Sequence, residues 1–275
     1  MRRVRLVSIA GLVAVLSGVV SHAQQAQPKP FEPTVGQAGK DVVWVPTPPI
    51  LVEKMLDMAA VTPKDVVMDL GSGDGRNIIG AAKRGATAIG VEYNPDMVAL
   101  SQRLAKEAGV ANKASFIQGD MFEADISKAT VLALFLLPDN LTKLRDKFLN
   151  LKPGTRIVMN TFGIPDWEAD ATETVTEDCP SWCTSLLYFV PAKVAGTWKL
   201  PQGELALTQT FQKVTGTLTA GGKPEPIGNA RLRGDQLTFT ASGTEYTGQV
   251  NGDRIEGISI NGGSKQSWTA ARSTP

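Results

Sequence analysis

Along the 275 residues, the spacing of apolar positions changes character once, near Pro191. Before it, short runs of Val, Ile, Leu and Met alternate with stretches that are apolar at every third or fourth position. These are the periods of buried strands and of helices packed on them. The pattern predicts strands over residues 66–70, 87–92, 114–120, 129–137 and 155–160, and helices over 49–60, 77–84, 96–108 and 139–149. Segment 129–137 is almost wholly apolar, as a central parallel strand covered on both faces should be. Strands and helices alternating at this rhythm define an α/β, doubly wound parallel sheet. Residues 169–176 and 185–190 read as a closing hairpin.

After Pro191 the period becomes two. Leu205, Leu207 and Phe211 share one strand face, and similar segments recur as far as residue 271. Gly221-Gly222, Gly234-Asp235, Ser242-Gly243, Asn251-Gly252 and Asn261-Gly262 separate them as turn pairs. About eight strands are expected, forming a small antiparallel β-barrel or sandwich. Such a module either holds a substrate or partner, or stabilises the first domain.

The most informative turn lies between the first strand and its helix, at Asp69-Leu70-Gly71-Ser72-Gly73-Asp74-Gly75-Arg76. A strand, a glycine turn and a helix start are expected to gather free backbone N–H groups and a positive dipole end at one point, which suits a small anionic or carboxylate-bearing ligand. Dinucleotide turns read G-x-G-x-x-G, whereas this one reads G-x-G-x-G and has an acid two residues before the first glycine. A carboxylate at Asp69 repels a pyrophosphate and suits a ligand bearing an ammonium group, so a nicotinamide-dependent oxidoreductase is disfavoured. Glu92 ends the next strand, where it can accept bonds from two ribose hydroxyls. Asp120 closes the third, with Met121 and Phe122 beside it to pack on a base.

This pattern resembles the class I S-adenosylmethionine-dependent methyltransferases, whose fold is a Rossmann-like seven-stranded sheet. With Trp44-Val45-Pro46-Thr47-Pro48 ahead of a helix, it is most similar to the ATP-synthase c-subunit lysine methyltransferases and their bacterial relatives. Phe135-Leu136-Leu137-Pro138-Asp139-Asn140 and Asn160-Thr161-Phe162-Gly163-Ile164-Pro165-Asp166-Trp167 match the segments at and after that branch's fourth and fifth strands. The resemblance implies S-adenosyl-L-methionine as cofactor. It implies that Asp69, Gly71, Ser72, Gly73 and Gly75 hold the methionine end, with Thr47 closing over its carboxylate. It assigns the ribose to Glu92 and the adenine to Asp120 and Met121. Substrate-side candidates are Pro138, Asp139, Asn140 and Trp167. The Asn/Asp-Pro-Pro-aromatic motif of enzymes methylating DNA or glutamine is replaced by Leu137-Pro138-Asp139-Asn140. A protein lysine or another small nucleophile remains as methyl acceptor.

Composition adds the location. Residues 1–23 hold Arg2, Arg3 and Arg5, an apolar core over 6–20, and Ser21-His22-Ala23, which together read as a signal peptide. An uncleaved anchor is the alternative, and either exports the body to the periplasm or beyond. Residues 24–41, rich in Pro, Gln and Ala, read as a flexible linker, 42–192 as the methyltransferase domain and 193–275 as the β domain. The chain is 42% apolar and 20% charged, an ordinary globular balance. Past the leader, 25 basic residues face 27 acidic ones, which gives no electrostatic case for nucleic acid. No later segment of the sequence could span a membrane.

The only histidine, His22, sits in the leader, so the body lacks a histidine base and the usual zinc ligands, and no metal is expected. Cys179 and Cys183 are too widely spaced for a redox C-x-x-C pair and are candidates for a local disulfide. Cofactor supply outside the cytosol raises an alternative: an exported, non-catalytic binding or scaffold protein on the same fold.

Overall fold

The computed structural model describes residues 31–273. The signal-peptide reading and the first part of the linker lie outside them. Residues 32–273 belong to one compact unit.

The first half follows the expected order closely: α1 (Pro49–Met58), β1 (Val66–Leu70), α2 (Arg76–Lys83), β2 (Thr87–Glu92), α3 (Pro95–Glu107), β3 (Ala114–Gln118), β4 (Val131–Leu134), α4 (Pro138–Leu149) and β5 (Arg156–Asn160). Proline at the first turn starts α1, α3 and α4, where its missing N–H costs no helix bond. Asn94 also caps α3, its side chain accepting from the Asp96 N–H at 2.9 Å.

The sheet is mixed rather than wholly parallel. Its order is β3-β2-β1-β4-β5-β7-β6, with β6 at Ala171–Thr174 and β7 at Thr184–Phe189. Strands β1 to β5 pair in parallel, but β7 runs antiparallel to β5 and slots between it and β6. A short hairpin cannot make a parallel crossover, so the chain must reverse there. Successive residues of β1 face opposite sides: Val67 joins α1, α2 and α3 in one apolar core, and Met68 joins α4 in the other. The parallel strands all end at one edge, and the chain changes direction between β1 and β4. Ligands of open α/β sheets bind outside such a switch point.

The second half is one nine-stranded antiparallel sheet, in the order β11-β10-β9-β8-β16-β15-β14-β13-β12. Its strands are β8 (Gly196–Leu200), β9 (Gly203–Thr210), β10 (Lys213–Ala220), β11 (Lys223–Pro226), β12 (Gly228–Arg233), β13 (Gln236–Ala241), β14 (Thr244–Asn251), β15 (Arg254–Asn261) and β16 (Ser264–Arg272). The unforeseen ninth strand is β11. Its Pro224 and Pro226 cannot donate, which confines it to an edge. The two edge strands β11 and β12 adjoin in sequence, and the Ile227 N–H between them reaches Gly216 O at 3.0 Å. The sheet therefore curls back on itself around one core built on Trp198, Phe239 and Trp268, which rules out a two-sheet sandwich.

The two sheets meet through the β9–β10 turn. Phe211 stacks on Trp167 at 5.5 Å with ring planes 2° apart. The Gln212 side chain donates to Glu168 O at 2.6 Å.

The linker reading fails from residue 34 onward. Residues 34–44 form a hairpin: Gln37 N–H bonds Thr34 O, Gly36 N–H bonds Trp44 O, and Trp44 N–H bonds Gln37 O, each at 2.9 Å. A composition rich in Pro and Gln hid these local bonds, which a tight turn needs no apolar period to make.

Candidate functional site

A crevice opens at the switch point, lined by the glycine turn, the ends of β1 and β2, Phe135 and the 37–47 hairpin arm. Asp69, near the end of β1, is buried and accepts from Asn77 Nδ2 at 3.0 Å. Burial pushes its carboxyl well above the usual carboxylate range, and the nearby charges of Glu92 and Asp74 add to this against the Asn77 bond. The site thus holds a carboxyl that lacks a cationic partner among the described residues.

The glycine turn is not the anion cradle that the sequence suggested. Gly71 and Ser72 both donate to Val91 O, at 2.8 and 3.0 Å, and Gly75 donates to Ser72 O at 2.8 Å. Gly73 donates to Glu92 Oε2 at 2.9 Å. Internal bonds consume these four donors because the turn folds back onto β2. Glu92 Oε1 accepts from Asn94 N–H at 2.9 Å, which fixes the carboxylate at the strand tip while leaving acceptor capacity on both oxygens. The crevice offers acceptors where a phosphate site would offer donors.

Gly73 and Gly75 differ in role. At Gly73 (φ +55°) a Cβ would stand 2.7 Å from Trp44 Nε1, so the indole lies directly on the turn as part of a lid. At Gly75 (φ +80°) it would stand 2.5 Å from Phe116, inside the core and off the crevice lining. Gly75 is a packing glycine rather than a ligand contact.

Thr47 is buried in the crevice wall. Its Oγ1 accepts from Asn160 Nδ2 at 3.2 Å, and its carbonyl accepts from Arg76 Nη1 at 2.7 Å. Arg76 is also bound to Asp74, Nε to Oδ1 at 2.9 Å. The crevice lining therefore carries Asp69, Asp74 and Glu92 against Arg76 as the one cation among the described residues. That balance favours a positively charged ligand.

Other expected residues lie elsewhere. Asp120 is off the lining, engaged by Lys40 of the hairpin and accepting from Phe122 N–H at 2.9 Å. Lys40 also sits over the Tyr93 ring, 5.1 Å from its centroid, so Asp120 is a clasp for the lid in this state. The Lys40 bond holds the Asp120 carboxyl below its ordinary range. Met121 is buried in the α4-side core. Pro138 and Asp139 are exposed in the first turn of α4, while Asn140 is buried and donates to Asp41 O at 3.2 Å. Trp167 is not a substrate contact: it is buried between Tyr188 and Phe211, because the chain after β5 turns under the second sheet. Cys179 and Cys183 are bonded. Asn77, Phe135 and Trp44 completed the site without being chosen for it. An Asn in the first turn after the glycines was the signal for the first of these.

Fold and crevice together define a class I methyltransferase, and comparison with known proteins agrees. The family model for the ANTKMT methyltransferase domain matches residues 69–171. A protein-lysine N-methyltransferase of Saccharolobus islandicus is 44% identical over 129 residues, 46% of this chain and 80% of that one. The mouse ATP synthase c-subunit lysine N-methyltransferase is 36% identical over 107 residues, 38% of this chain and 43% of that one. A solved RNA methyltransferase from Salinibacter ruber, in complex with S-adenosyl-L-homocysteine, superposes with a TM-score of 0.51 at 44% identity. It covers 55% of this chain and 96% of that one.

The chain belongs to the S-adenosylmethionine-dependent methyltransferase family of these protein-lysine enzymes. Its cofactor is S-adenosyl-L-methionine. The residues present fit that cofactor, which carries an ammonium, a sulfonium and two ribose hydroxyls into an acceptor-lined, net acidic crevice.

Proposed function

We propose that this chain is an exported methyltransferase that modifies a lysine ε-amine of a protein acceptor. The observation that carries the reading is the pairing of a buried Asp69, without a cationic partner among the described residues, with a turn whose Gly71, Ser72, Gly73 and Gly75 donors are already used. Asp69 is assigned to the cofactor's ammonium, Glu92 to its ribose and Thr47 to its carboxylate. The adenine falls to the side of Asp120 once Lys40 lets go. When bound, the cofactor supplies a methyl group already electrophilic enough to need only an aligned nucleophile. The acceptor amine must arrive neutral, and burial beside the crevice lowers a lysine pKa without a dedicated base.

Two features support export: the leader read over residues 1–23, and a Cys179–Cys183 bond of a kind that persists in oxidising compartments. The boundary at residues 192 and 193 separates the catalytic domain from a brace. Through the Trp167–Phe211 stack, the second sheet steadies the segment after β5 that borders the site. A purely non-catalytic scaffold is disfavoured by the intact crevice.

The test is methyl-tritiated S-adenosylmethionine given to the purified chain with protein and RNA fractions of its source. Label recovered as methyllysine supports the reading. Label confined to RNA or to small molecules overturns the acceptor assignment.

A further inference from the structure

Three aromatic rings meet beside the crevice, with Phe162 also resting against the α4-side core. Phe135 follows β4 and lines the crevice. Phe162 lies two residues beyond β5, and Trp182 sits in the β6–β7 loop. Their ring centroids are 6.1 Å apart for Phe135–Phe162, 5.8 Å for Phe135–Trp182 and 5.5 Å for Phe162–Trp182. Trp182 is 39% exposed and belongs to none of the three apolar clusters.

The backbone is constrained to put the rings there. Thr161 (φ +57°), Asp178 (φ +54°) and Trp182 (φ +59°) all adopt the left-handed region that non-glycine residues avoid. Thr161 N–H is pinned to Thr184 O at 2.7 Å, and the Cys179–Cys183 bond closes the loop around Trp182. Residues 157–192 contain six Asp and Glu and no Lys or Arg, and three of the six, Asp166, Glu168 and Glu173, are ion-paired with Arg145, Lys213 and Lys54 from elsewhere in the chain. Glu177 and Asp178, next to the disulfide, are exposed.

We propose that Phe135, Phe162 and Trp182 form the subsite for the acceptor lysine, holding its alkyl stem and its methylated ammonium against their ring faces. This rests on the lysine reading of the preceding section and deepens it. Ring faces attract a cation electrostatically, and a methylated ammonium, having lost hydrogen-bond donors, gains more from them than from a carboxylate. The exposed Glu177 and Asp178 beside Trp182 draw a basic peptide toward the rings. A subsite that retains a partly methylated lysine favours successive transfers to the same nitrogen.

The experiment titrates Nα-acetyl-Nε-trimethyllysine amide, and its unmethylated counterpart, into the full chain saturated with S-adenosylhomocysteine, by calorimetry. The trimethylated compound is expected to bind more tightly than the unmethylated one. Trp182→Ala should weaken it by about tenfold, and Trp182→Phe by less. S-adenosylhomocysteine affinity and melting temperature, measured on every variant, should stay unchanged. Equal affinity in Trp182→Ala, or no binding of the trimethylated compound to a chain that still binds S-adenosylhomocysteine, overturns the subsite and leaves the methyltransferase assignment standing. A wild-type chain that fails to bind S-adenosylhomocysteine removes both.

Discussion

Asn77 holds Asp69 by a single 3.0 Å hydrogen bond, and its own amide also reaches Ala133 O at 3.3 Å. One helical side chain thereby ties β1 to β4 across the switch point. It also fixes the rotamer of the most strongly perturbed carboxyl in the crevice. Asn77 lines the crevice, and its buried Oδ1 has no hydrogen-bond partner among the described residues, which leaves an acceptor for the ligand. Removing the Nδ2 donor should weaken cofactor binding indirectly. Asn77→Leu is expected to lose about tenfold in S-adenosylhomocysteine affinity. Unchanged affinity would mean that Asp69 is oriented without it.

The burial of Asp69 also sets a pH signature. Its folded-state pKa is raised above the unfolded value, so in the ligand-free protein it binds its proton more tightly when folded. Ligand-free stability is therefore full at the acidic end, for this group, and is lost as pH rises from the unfolded pKa through the raised one. Asp69→Asn should raise the ligand-free melting temperature at neutral pH while weakening binding, the usual exchange of stability for function. Binding of a ligand ammonium reverses the preference, so S-adenosylhomocysteine should release protons and bind less well as pH falls. Calorimetry in buffers of different ionisation enthalpy measures that release, and a proton uptake on binding would contradict it.

A second carboxylate behaves in the opposite sense. Asp65 is buried, which alone would raise its pKa. Bonds from Thr130 Oγ1 at 2.7 Å and from Thr62 N–H at 2.8 Å and Oγ1 at 2.9 Å, together with Arg156, more than offset this and hold it below the ordinary value. Arg156 Nη1 also donates to Ala59 O at 2.7 Å, so the cluster joins the end of α1 to β4 and β5. Its stabilising effect is present above the unfolded pKa and lost as pH falls through the depressed folded one. Asp65→Ala leaves Arg156 without its charge partner and should cost about 3 kcal/mol, roughly a 10 °C fall in melting temperature. A fall under about 2 °C would show the cluster to be dispensable.

The two glycines of the turn separate ligand effects from packing effects. Gly75→Ala drives a Cβ into Phe116 at a positive φ and should destabilise the fold by about 2–3 kcal/mol. Gly73→Ala collides with the Trp44 indole instead, on a hairpin that can give way. It should lower cofactor affinity more than stability. Thermal melts and S-adenosylhomocysteine titrations of both variants check this, and the reverse ranking would refute the lid.

Reduction of the Cys179–Cys183 bond frees a loop bearing two left-handed residues, Asp178 and Trp182. A Cys179→Ser/Cys183→Ser variant should keep the wild-type melting temperature within about 4 °C, since the loop is short and peripheral. Proteolysis between residues 176 and 184 should become faster. Equal cleavage rates would show that the clip does not order the loop.

Much of this was legible in the residues because local signals and tertiary structure agree. Strand Val66–Leu70 matched its expected bounds, and the helices shifted by no more than two residues at either end. In the second half, alternation and glycine turn pairs revealed every strand except the one weakened by Pro224 and Pro226. The losses share one cause: non-local pairing leaves no periodic trace. Nothing in the sequence told that Lys40 would meet Asp120, 80 residues away, or that Trp167 would be covered by Phe211. Likewise the glycine turn announced a ligand site, but not that Val91 and Glu92 would consume its donors.

The account turns on whether the Asp69 carboxyl grips the aminoacyl end of the cofactor. Calorimetric titration of S-adenosylhomocysteine into wild type and Asp69→Ala measures this directly. Wild type should bind it one to one, and the variant should lose about a hundredfold in affinity without unfolding. Equal affinities in two folded proteins would contradict the site as described.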